Sequence, residues 1–565
     1  NSFTRTAHGR FQSGVDGNMV SEEHAIQELA AENARLKKEL EAVKRELLDA
    51  RGKVEEARSE AMRVPATAFQ LLRKSGRCLS TGATLAGAKK GLTMETINPN
   101  VKCMEFAVRG PIVIRGAEIE KDLEKGAKKP FNSVVKANIG DAHDMGQKPI
   151  TFIRQVVACC AYPPLLQSMA IPSDVRKHAE AILHDCGGHS VGAYTPSAGI
   201  ECIRKHCAEY ITRRDGIPTD YENIVLSAGT TEGIRNVLKL FVNTESSRKV
   251  GIMIPIPQYP LYSATLDEFG LGQVRYYLDE DNMWALNIGE CERALNEAKG
   301  KYDTRAICVI NPGNPAGQVL TKKNIEEIIR FARKNNLVIL ADEVYQDNIF
   351  DESSKFYSFK KVLHDMGDEY KDQELVSFYS VSKGYMGECG LRAGYIEFMN
   401  IDQDVFKMFM KMISAKLCSS ALGQAALDCA VNPPKPGEPS YELWYKEKTG
   451  ILKSLKERAR LVKEAYGALE GIECNPVQGA MYAFPKINLP EKAIEEAKKQ
   501  NVAPDFLYGM KMIEATGICT VPGSGFGQQE GTYHFRTTIL PQTDLMKEML
   551  DRFKPFHADF MKTYK

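Results

Sequence analysis

Residues 375–395 read LVSFYSVSKGYMGECGLRAGY and place one lysine directly after a short β-rich run. The run 375–381 predicts a buried strand. Lys383 follows it among hydroxyl side chains, glycines and Arg392. Most lysines are solvated surface charges, but one that stands at the end of a buried strand is also a candidate for chemistry.

Similar runs recur along the chain and alternate with helical stretches. The other β-rich runs are residues 224–228, 250–255, 306–311, 337–343 and 394–398, and residues 322–334 are typical of a helix. This alternation predicts an α/β fold with a mostly parallel sheet covered by helices. Ligands bind at the carboxyl ends of such strands, so the polar residues that follow each run are candidate site residues.

The first strand leads into the turn SAGTTEGI, residues 227–234. Free backbone N–H groups at the start of a helix, with the hydroxyls of Thr230 and Thr231, would make an anion site. Taken alone, the motif is more typical of an ordinary helix N-cap.

Two later strands also end in polar motifs. Residues 311–317, NPGNPAG, form a turn that is either a simple loop or a rigid support for the Asn314 amide. Asp342 lies near the end of the predicted strand 337–343 and needs a partner if it is buried. A cationic ring nitrogen of a cofactor would serve, and capping of the next element is the alternative.

These motifs occur together in a known order. The chain resembles the pyridoxal-phosphate-dependent aminotransferases of fold type I, which carry a Gly-rich helix start, an Asn-Pro-x-Gly turn, Asp-x-x-Tyr, Ser-x-Ser-Lys and then an arginine. More narrowly, it resembles the alanine aminotransferases from about Leu92 to the C-terminus, in residues 138–143, 145–152, 255–264 and 380–390. It departs from that family at residues 230–232 and beside Arg392, at Leu391 and Ala393.

The resemblance implies a cofactor, pyridoxal 5'-phosphate, and a role for each candidate residue. Lys383 would bind the cofactor covalently and move a proton at the substrate α-carbon, which requires a pKa lowered by burial and neighbouring cations. Asp342 would keep the ring nitrogen protonated, and Tyr345 completes the catalytic set. Asn314 and Tyr345 would hold the ring oxygen, and Tyr259 would stack on the ring.

The remaining implied roles concern the two anionic ends of the ligands. The phosphate would be bound by Thr230, Thr231, Ser380, Ser382 and Arg392, together with Tyr194 from a neighbouring subunit. Arg536 would bind the substrate carboxylate through two hydrogen bonds, with Asn314 beside it and Gly140 leaving room for close approach. A homodimer with shared active sites is therefore expected.

The expected activity is transfer of the amino group of L-alanine to 2-oxoglutarate, giving pyruvate and L-glutamate in a two-stage ping-pong cycle. Four alternatives remain: an aromatic amino acid or kynurenine as donor, glyoxylate as acceptor, a lyase reaction, and a catalytically silent coiled-coil scaffold. The scaffold predicts that Lys383, Asp342 or Arg536 is missing, and all three are present.

Composition limits the other classes of function. Lys plus Arg total 74 and Asp plus Glu 73, so the formal charge of +1 argues against binding to nucleic acid or to an anionic membrane surface. We also find no stretch of 18 apolar residues that would span a membrane. The 14 cysteines are scattered, as in a reducing compartment. Residues 184–189, HDCGGH, lack a second ligand pair, so we expect no metal.

The N-terminal part has a different character. Residues 1–20 are expected to be disordered, and residues 21–61 carry a heptad repeat that predicts a coiled-coil helix, with a lone helix as the alternative. Residues 62–91 are basic and contain no acidic residue, which is typical of a transit peptide or a flexible linker. If translation starts near Met62 the location would be mitochondrial, and otherwise cytoplasmic.

The rest of the chain is expected to divide into three parts. Residues 92–145 would form an N-terminal arm and part of a small domain. Residues 146–430 would form the large cofactor-binding domain, and residues 431–565 a smaller α+β C-terminal domain.

Overall fold

A computed structural model describes residues 90–565. The predictions for residues 1–20 and 21–61, and for all but the end of 62–91, lie outside the described residues. Residues Leu92–Lys565 form one compact unit.

The centre of this unit is a sheet of eight strands: β1 (Ile224–Ser227), β2 (Lys249–Ile256), β3 (Gly272–Asp279), β4 (Ala285–Leu286), β5 (Tyr302–Ile310), β6 (Val338–Asp342), β7 (Leu375–Ser380) and β8 (Gly394–Met399). Their order is β1-β8-β7-β6-β5-β2-β3-β4. The pairs from β3 through β2, β5 and β6 to β7 are parallel, whereas β8 is antiparallel to β7 and β1, and β4 to β3. The predicted mostly parallel α/β sheet is confirmed.

The central strands are buried on both faces. In β5, Ile307 and Val309 pack into one hydrophobic cluster, whereas Ala306, Cys308 and Ile310 pack into another on the opposite face. This period of two, with apolar residues on both sides, explains why β5 reads as a continuous apolar run.

Helices cover both faces of the sheet. Along the chain, the structure has helices Pro99–Lys102, Pro111–Glu124, Thr151–Ala161, Ser173–His184, Glu201–Asp215, Thr230–Lys239, Leu261–Phe269, Ile288–Ala298, Lys322–Lys334, Phe359–Asp365, Gln403–Ser414, Ala421–Val431, Tyr441–Gly467, Glu491–Lys499, Pro504–Thr516 and Thr543–Tyr564. Short 3₁₀ turns include Ala107–Arg109, Cys389–Leu391 and Gly523–Phe526. No helix in residues 90–565 is both long and apolar enough to cross a membrane.

A second, smaller sheet system lies in the C-terminal part of the chain. It comprises β9 (Ile472–Glu473), β10 (Tyr482–Ala483), β11 (Lys486–Ile487), β12 (Val521–Pro522) and β13 (Phe535–Thr538), in the orders β10-β13-β12 and β11-β9. The N-terminal segment joins it, because Val135 bridges Ile518 and the Ala137 carbonyl accepts a hydrogen bond of 2.9 Å from the Thr538 N–H. This pairing places the following residues, up to Gly140, beside β13.

Candidate active site

A cavity of about 460 Å³ lies at the carboxyl ends of β5, β6 and β7. The large sheet, the N-terminal segment and the small sheet all contribute side chains to it. The residues named from the sequence that line it are Gly140, Thr230, Thr231, Tyr259, Asn314, Asp342, Tyr345, Ser380, Ser382, Lys383, Arg392 and Arg536. Tyr194 is not among them; its side chain is 77% exposed. A larger groove of about 750 Å³ beside helix Ile288–Ala298 contains none of these residues.

Lys383 follows β7 at the base of the cavity. Its Nζ donates a hydrogen bond of 2.7 Å to the carbonyl of Gly140. The next residue, Gly384, has a φ of 68° and its N–H donates to Asn348 Oδ1 at 2.9 Å, which fixes the chain after the lysine.

The expected lowering of the Lys383 pKa is wrong for the protein without its cofactor. Removal from bulk water disfavours the ammonium, but Tyr482, Cys389 and Tyr259 together raise the pKa of Lys383. The reason is that acidic hydroxyl and thiol groups surround Nζ, and they outweigh the opposing positive charge of Arg536.

Asp342 ends β6 and is only 4% exposed. Its Oδ2 accepts a hydrogen bond of 2.8 Å from the Tyr262 hydroxyl, and its Oδ1 accepts a weak one of 3.4 Å from the Val344 N–H. Burial raises the pKa of Asp342 to about 6, although these hydrogen bonds and the charge of Lys383 act in the opposite direction. A buried carboxylate that faces a cavity and lacks a close cation fits the cationic ring nitrogen of pyridoxal 5'-phosphate.

The start of helix Thr230–Lys239 and Arg392 also line the cavity. No side chain caps this helix start, and Gly229 has a φ of 80°. A Cβ on Gly229 would lie 2.4 Å from Arg392 Nη2, so glycine allows the guanidinium to reach the helix start. A positive helix terminus beside an arginine is suited to a phosphate group.

Two of the hydroxyls near Arg392 are already engaged with the backbone. Thr230 Oγ1 donates to the Tyr379 carbonyl at 3.1 Å, and Ser380 Oγ to the Ala393 carbonyl at 3.1 Å. Glu232, where the chain departs from the family, is not a cavity residue: its carboxylate accepts a hydrogen bond from the Ala228 N–H at 2.6 Å and pairs with Lys416.

Arg536, on β13, is buried with 1% exposure. Its Nη1 donates to Asn314 Oδ1 at 3.0 Å and its Nη2 donates to the Asn138 carbonyl. Its Nε has no hydrogen-bond partner. A buried guanidinium with an unpaired N–H group that lines a cavity is suited to a carboxylate ligand, which would supply the missing acceptor.

The structure also brings in residues that the sequence did not single out: Phe106, Arg109, Tyr262, Cys389 and Tyr482. Tyr262 lies within the quoted stretch 255–264, close to Tyr259, which was predicted to stack on the cofactor ring, so its position was a usable signal. Phe106, Arg109 and Tyr482 belong to no motif that we recognised, and the folding of distant segments alone places them at the cavity.

The segment HDCGGH offers no metal site in the structure. His184 is exposed, and its Nδ1 atom lies 3.2 Å from Oδ1 of its neighbour Asp185. Within residues 90–565, no group of three or more His, Cys, Asp or Glu side chains is placed to hold a metal ion.

Comparison with known proteins agrees with this geometry. The family described as aminotransferase class I and II matches residues 162–553. The chain is 56% identical to alanine aminotransferase 2 of Xenopus tropicalis, over 84% of this chain and 91% of that protein. It is 53% identical to alanine aminotransferase 1 of Homo sapiens, over 84% and 96%. Its fold is similar to the structure of an alanine aminotransferase from Pyrococcus furiosus, with a TM-score of 0.64 and 24% identity over 82% of this chain and 99% of that one. The chain therefore belongs to the class I and II aminotransferases, and within them to the alanine aminotransferases.

Proposed function

We propose that this protein transfers the amino group of L-alanine to 2-oxoglutarate, giving pyruvate and L-glutamate. The observation that carries the proposal is one cavity that contains Lys383, Asp342 and Arg536. The comparisons support it, because the chain is more than 50% identical to proteins named alanine aminotransferase over most of their length.

Each of these residues has a distinct task. Pyridoxal 5'-phosphate, when bound, supplies an aldehyde for the amino group and a cationic ring that withdraws electrons from the substrate α-carbon. Lys383 holds the cofactor and carries the proton that leaves and returns at the α-carbon. Asp342 would serve as the counter-ion of the ring nitrogen. Arg536 fixes the substrate carboxylate and thereby orients the α-hydrogen toward Lys383.

The other cavity residues would hold the rest of the cofactor. Asn314 and Tyr345 line the cavity and would hold the ring oxygen, and Tyr259 presents a ring for stacking. The phosphate would lie at the Arg392 end, with Thr230, Thr231, Ser380 and Ser382.

The protein is also proposed to act as a homodimer in which Tyr194 completes the phosphate site of the other subunit. Its exposure and its position outside its own cavity support this assignment. Neighbouring Thr195 is held by a hydrogen bond of 3.1 Å from Gln424, so Tyr194 projects from a fixed segment.

No observation favours a scaffold, a lyase, an aromatic or kynurenine donor, or glyoxylate as acceptor. The location stays a proposal as well: mitochondrial if the basic segment is a transit peptide, and cytoplasmic otherwise. A relative from Dictyostelium discoideum, 46% identical over 84% of this chain, is named as a probable mitochondrial alanine aminotransferase.

The decisive experiment follows one half of the cycle. Purified protein loaded with pyridoxal 5'-phosphate is mixed with L-alanine alone, and pyruvate is measured with the cofactor's visible spectrum. We expect one pyruvate per site, and glutamate after later addition of 2-oxoglutarate. Conversion of other amino acids but not of alanine would refute the donor assignment.

A second experiment tests the site. Borohydride reduction followed by peptide mapping should locate the cofactor on Lys383, and Lys383→Ala should lose both the label and activity. A label on any other residue would refute the assignment. Lys448→Ala is a suitable control, because Lys448 lies outside the cavity, beside Tyr385 and Trp444.

A further inference from the structure

Tyr482 is buried in the small sheet and also lines the cavity. It lies on β10 opposite Thr538 of β13, so Arg536 is its diagonal neighbour, two residues away. Diagonal residues on adjacent strands share one face of a sheet and interact through their side chains. The register of β10 against β13 therefore decides that Tyr482 and Arg536 meet.

The ring of Tyr482 supports the guanidinium of Arg536. The Cζ atom of Arg536 lies 4.2 Å from the centre of the Tyr482 ring and 4.7 Å from that of the Phe526 ring. Two aromatic contacts hold the plane of the guanidinium and leave its N–H edges for hydrogen bonds.

The hydroxyl of Tyr482 lies on the Lys383 side. A Cβ on Gly140 would be 2.0 Å from Tyr482 Oη and 2.8 Å from Lys383 Nζ, so both polar atoms flank the same point. The Tyr345 hydroxyl donates to Tyr482 Oη at 3.2 Å, which holds this oxygen in place and leaves its second lone pair available.

The electrostatics agree with this placement. Burial alone would raise the pKa of Tyr482, but the positive charges of Lys383 and Arg536 bring it below its ordinary value. The same interaction, seen from the other partner, raises the pKa of Lys383. The two side chains thus favour each other's charged forms.

We infer that Tyr482 is a positioning residue of the aminotransferase: its hydroxyl positions Lys383, and its ring positions Arg536. This inference rests on the proposed function. When Lys383 takes the proton from the substrate α-carbon, its nitrogen becomes an ammonium, and Tyr482 Oη accepts a hydrogen bond from it. The ammonium is then held near the carbon atom to which it returns the proton, while the ring keeps Arg536 on the substrate carboxylate.

The test uses Tyr482→Phe in the holoenzyme, because this change removes the hydroxyl and keeps the ring on Arg536. We expect kcat with L-alanine to fall about 10- to 100-fold, as for the loss of a hydrogen bond to a charged group, with KM changed less than about 3-fold. The deuterium isotope effect on kcat with α-deuterated L-alanine should increase, because proton transfer becomes more rate-limiting. This effect is a ratio of rates on one preparation, so partial misfolding does not change it.

The matched control is Tyr508→Phe, because Tyr508 is also buried in the C-terminal part and its hydroxyl lies 2.9 Å from His557 Nδ1, away from the cavity. We expect it to keep the wild-type kcat and isotope effect. An unchanged kcat and isotope effect in Tyr482→Phe would overturn the inference, as would a rise in KM at constant kcat. If the wild-type protein does not convert alanine at all, the proposed function fails first.

Discussion

Replacing Asp342 by Asn should raise the stability of the protein without cofactor. It should also reduce the stability that the protein gains when the cofactor binds. Asp342 is buried, and its neighbours are the hydroxyl of Tyr262 and the N–H of Val344 rather than a close cation. Its carboxylate therefore destabilises the protein without cofactor, and we expect the bound cofactor to offset this penalty.

The size of the effect follows from the pKa of Asp342. Burial raises this pKa from 3.8 to about 6, so the folded protein binds the proton more tightly than the unfolded chain. Stability therefore falls as pH rises from about 4 to 6, and the full penalty is present above pH 6. At about 1.4 kcal/mol per tenfold change in affinity, the penalty is about 3 kcal/mol. An Asn side chain brings an amide that needs partners of its own, so we expect a net gain of about 1–3 kcal/mol.

The assay is urea unfolding of wild-type protein and Asp342→Asn at pH 5 and pH 8, with and without pyridoxal 5'-phosphate. Without cofactor, the variant should be the more stable at pH 8, and its advantage should shrink by about 1.4 kcal/mol at pH 5, midway through the fall in wild-type stability between pH 4 and 6. With cofactor at pH 8, the wild-type protein should gain more stability than the variant, because only it offers a counter-ion to the ring nitrogen.

The titration of neighbouring Glu343 does not affect the difference in stability between wild type and Asp342→Asn. Burial raises its pKa to about 7, although Arg214 and the Phe359 N–H oppose the shift. This contribution is present in both proteins and cancels in their difference. A variant without cofactor that is less stable than wild type at pH 8, or a difference that is equal at both pH values, would refute the reasoning.

Two further substitutions test the cavity and the core. Gly140→Ala places a Cβ against Tyr482 Oη and Lys383 Nζ. Lys383 Nζ ends a flexible side chain and can move, whereas Tyr482 is a buried ring in contact with Tyr345 and Arg536, so we expect kcat to fall about 100-fold and the melting temperature to fall as well. Lys360→Met leaves the buried carboxylate of Glu397 without its cation, and urea unfolding should show a loss of about 3–5 kcal/mol.

Both substitutions have matched controls. Gly450→Ala lies in a helix with no heavy atom within 4 Å of the new Cβ, and it should leave kcat unchanged and stabilise by about 0.5–1 kcal/mol. Lys407→Met breaks an exposed pair with Asp404 and should cost less than about 1 kcal/mol. Full activity in Gly140→Ala, or equal losses in the two lysine variants, would contradict the predictions.

The apolar strands could be predicted well because burial on both faces leaves a clear sequence signal. Five predicted strands agree with the structure to within one residue at each end, and helix Lys322–Lys334 agrees at both ends. For β5 the prediction began at Ala306, whereas the strand begins at Tyr302, because its first four residues are not buried. Strand β3 was missed for a similar reason: its buried residues alternate with partly exposed ones such as Gln273 and with the exposed Arg275.

The site residues likewise fall into a group that local sequence patterns predict and a group that they do not. Residues that follow predicted strands, such as Asp342 and Lys383, meet because carboxyl ends of parallel strands share one edge of the sheet. Tyr482 and Arg109 come from segments far away in sequence, so no local pattern could indicate their position. The division of the described chain at residues 145/146 and 430/431 stays a prediction.

Charge was harder to predict than position. The requirement that Lys383 act as a base led to the expectation of a pKa lowered by burial and by neighbouring cations. The structure surrounds Nζ with Tyr482, Cys389 and Tyr259, and these groups raise its pKa.

Since a protonated lysine cannot bond to an aldehyde, cofactor loading must release this proton. Loading of the wild-type protein should therefore accelerate as pH rises, and Tyr482→Phe, which lacks the phenol next to Lys383, should load faster than wild type at neutral pH in stopped-flow absorbance. An equal or slower rate would show that Tyr482 does not hold the proton on Lys383.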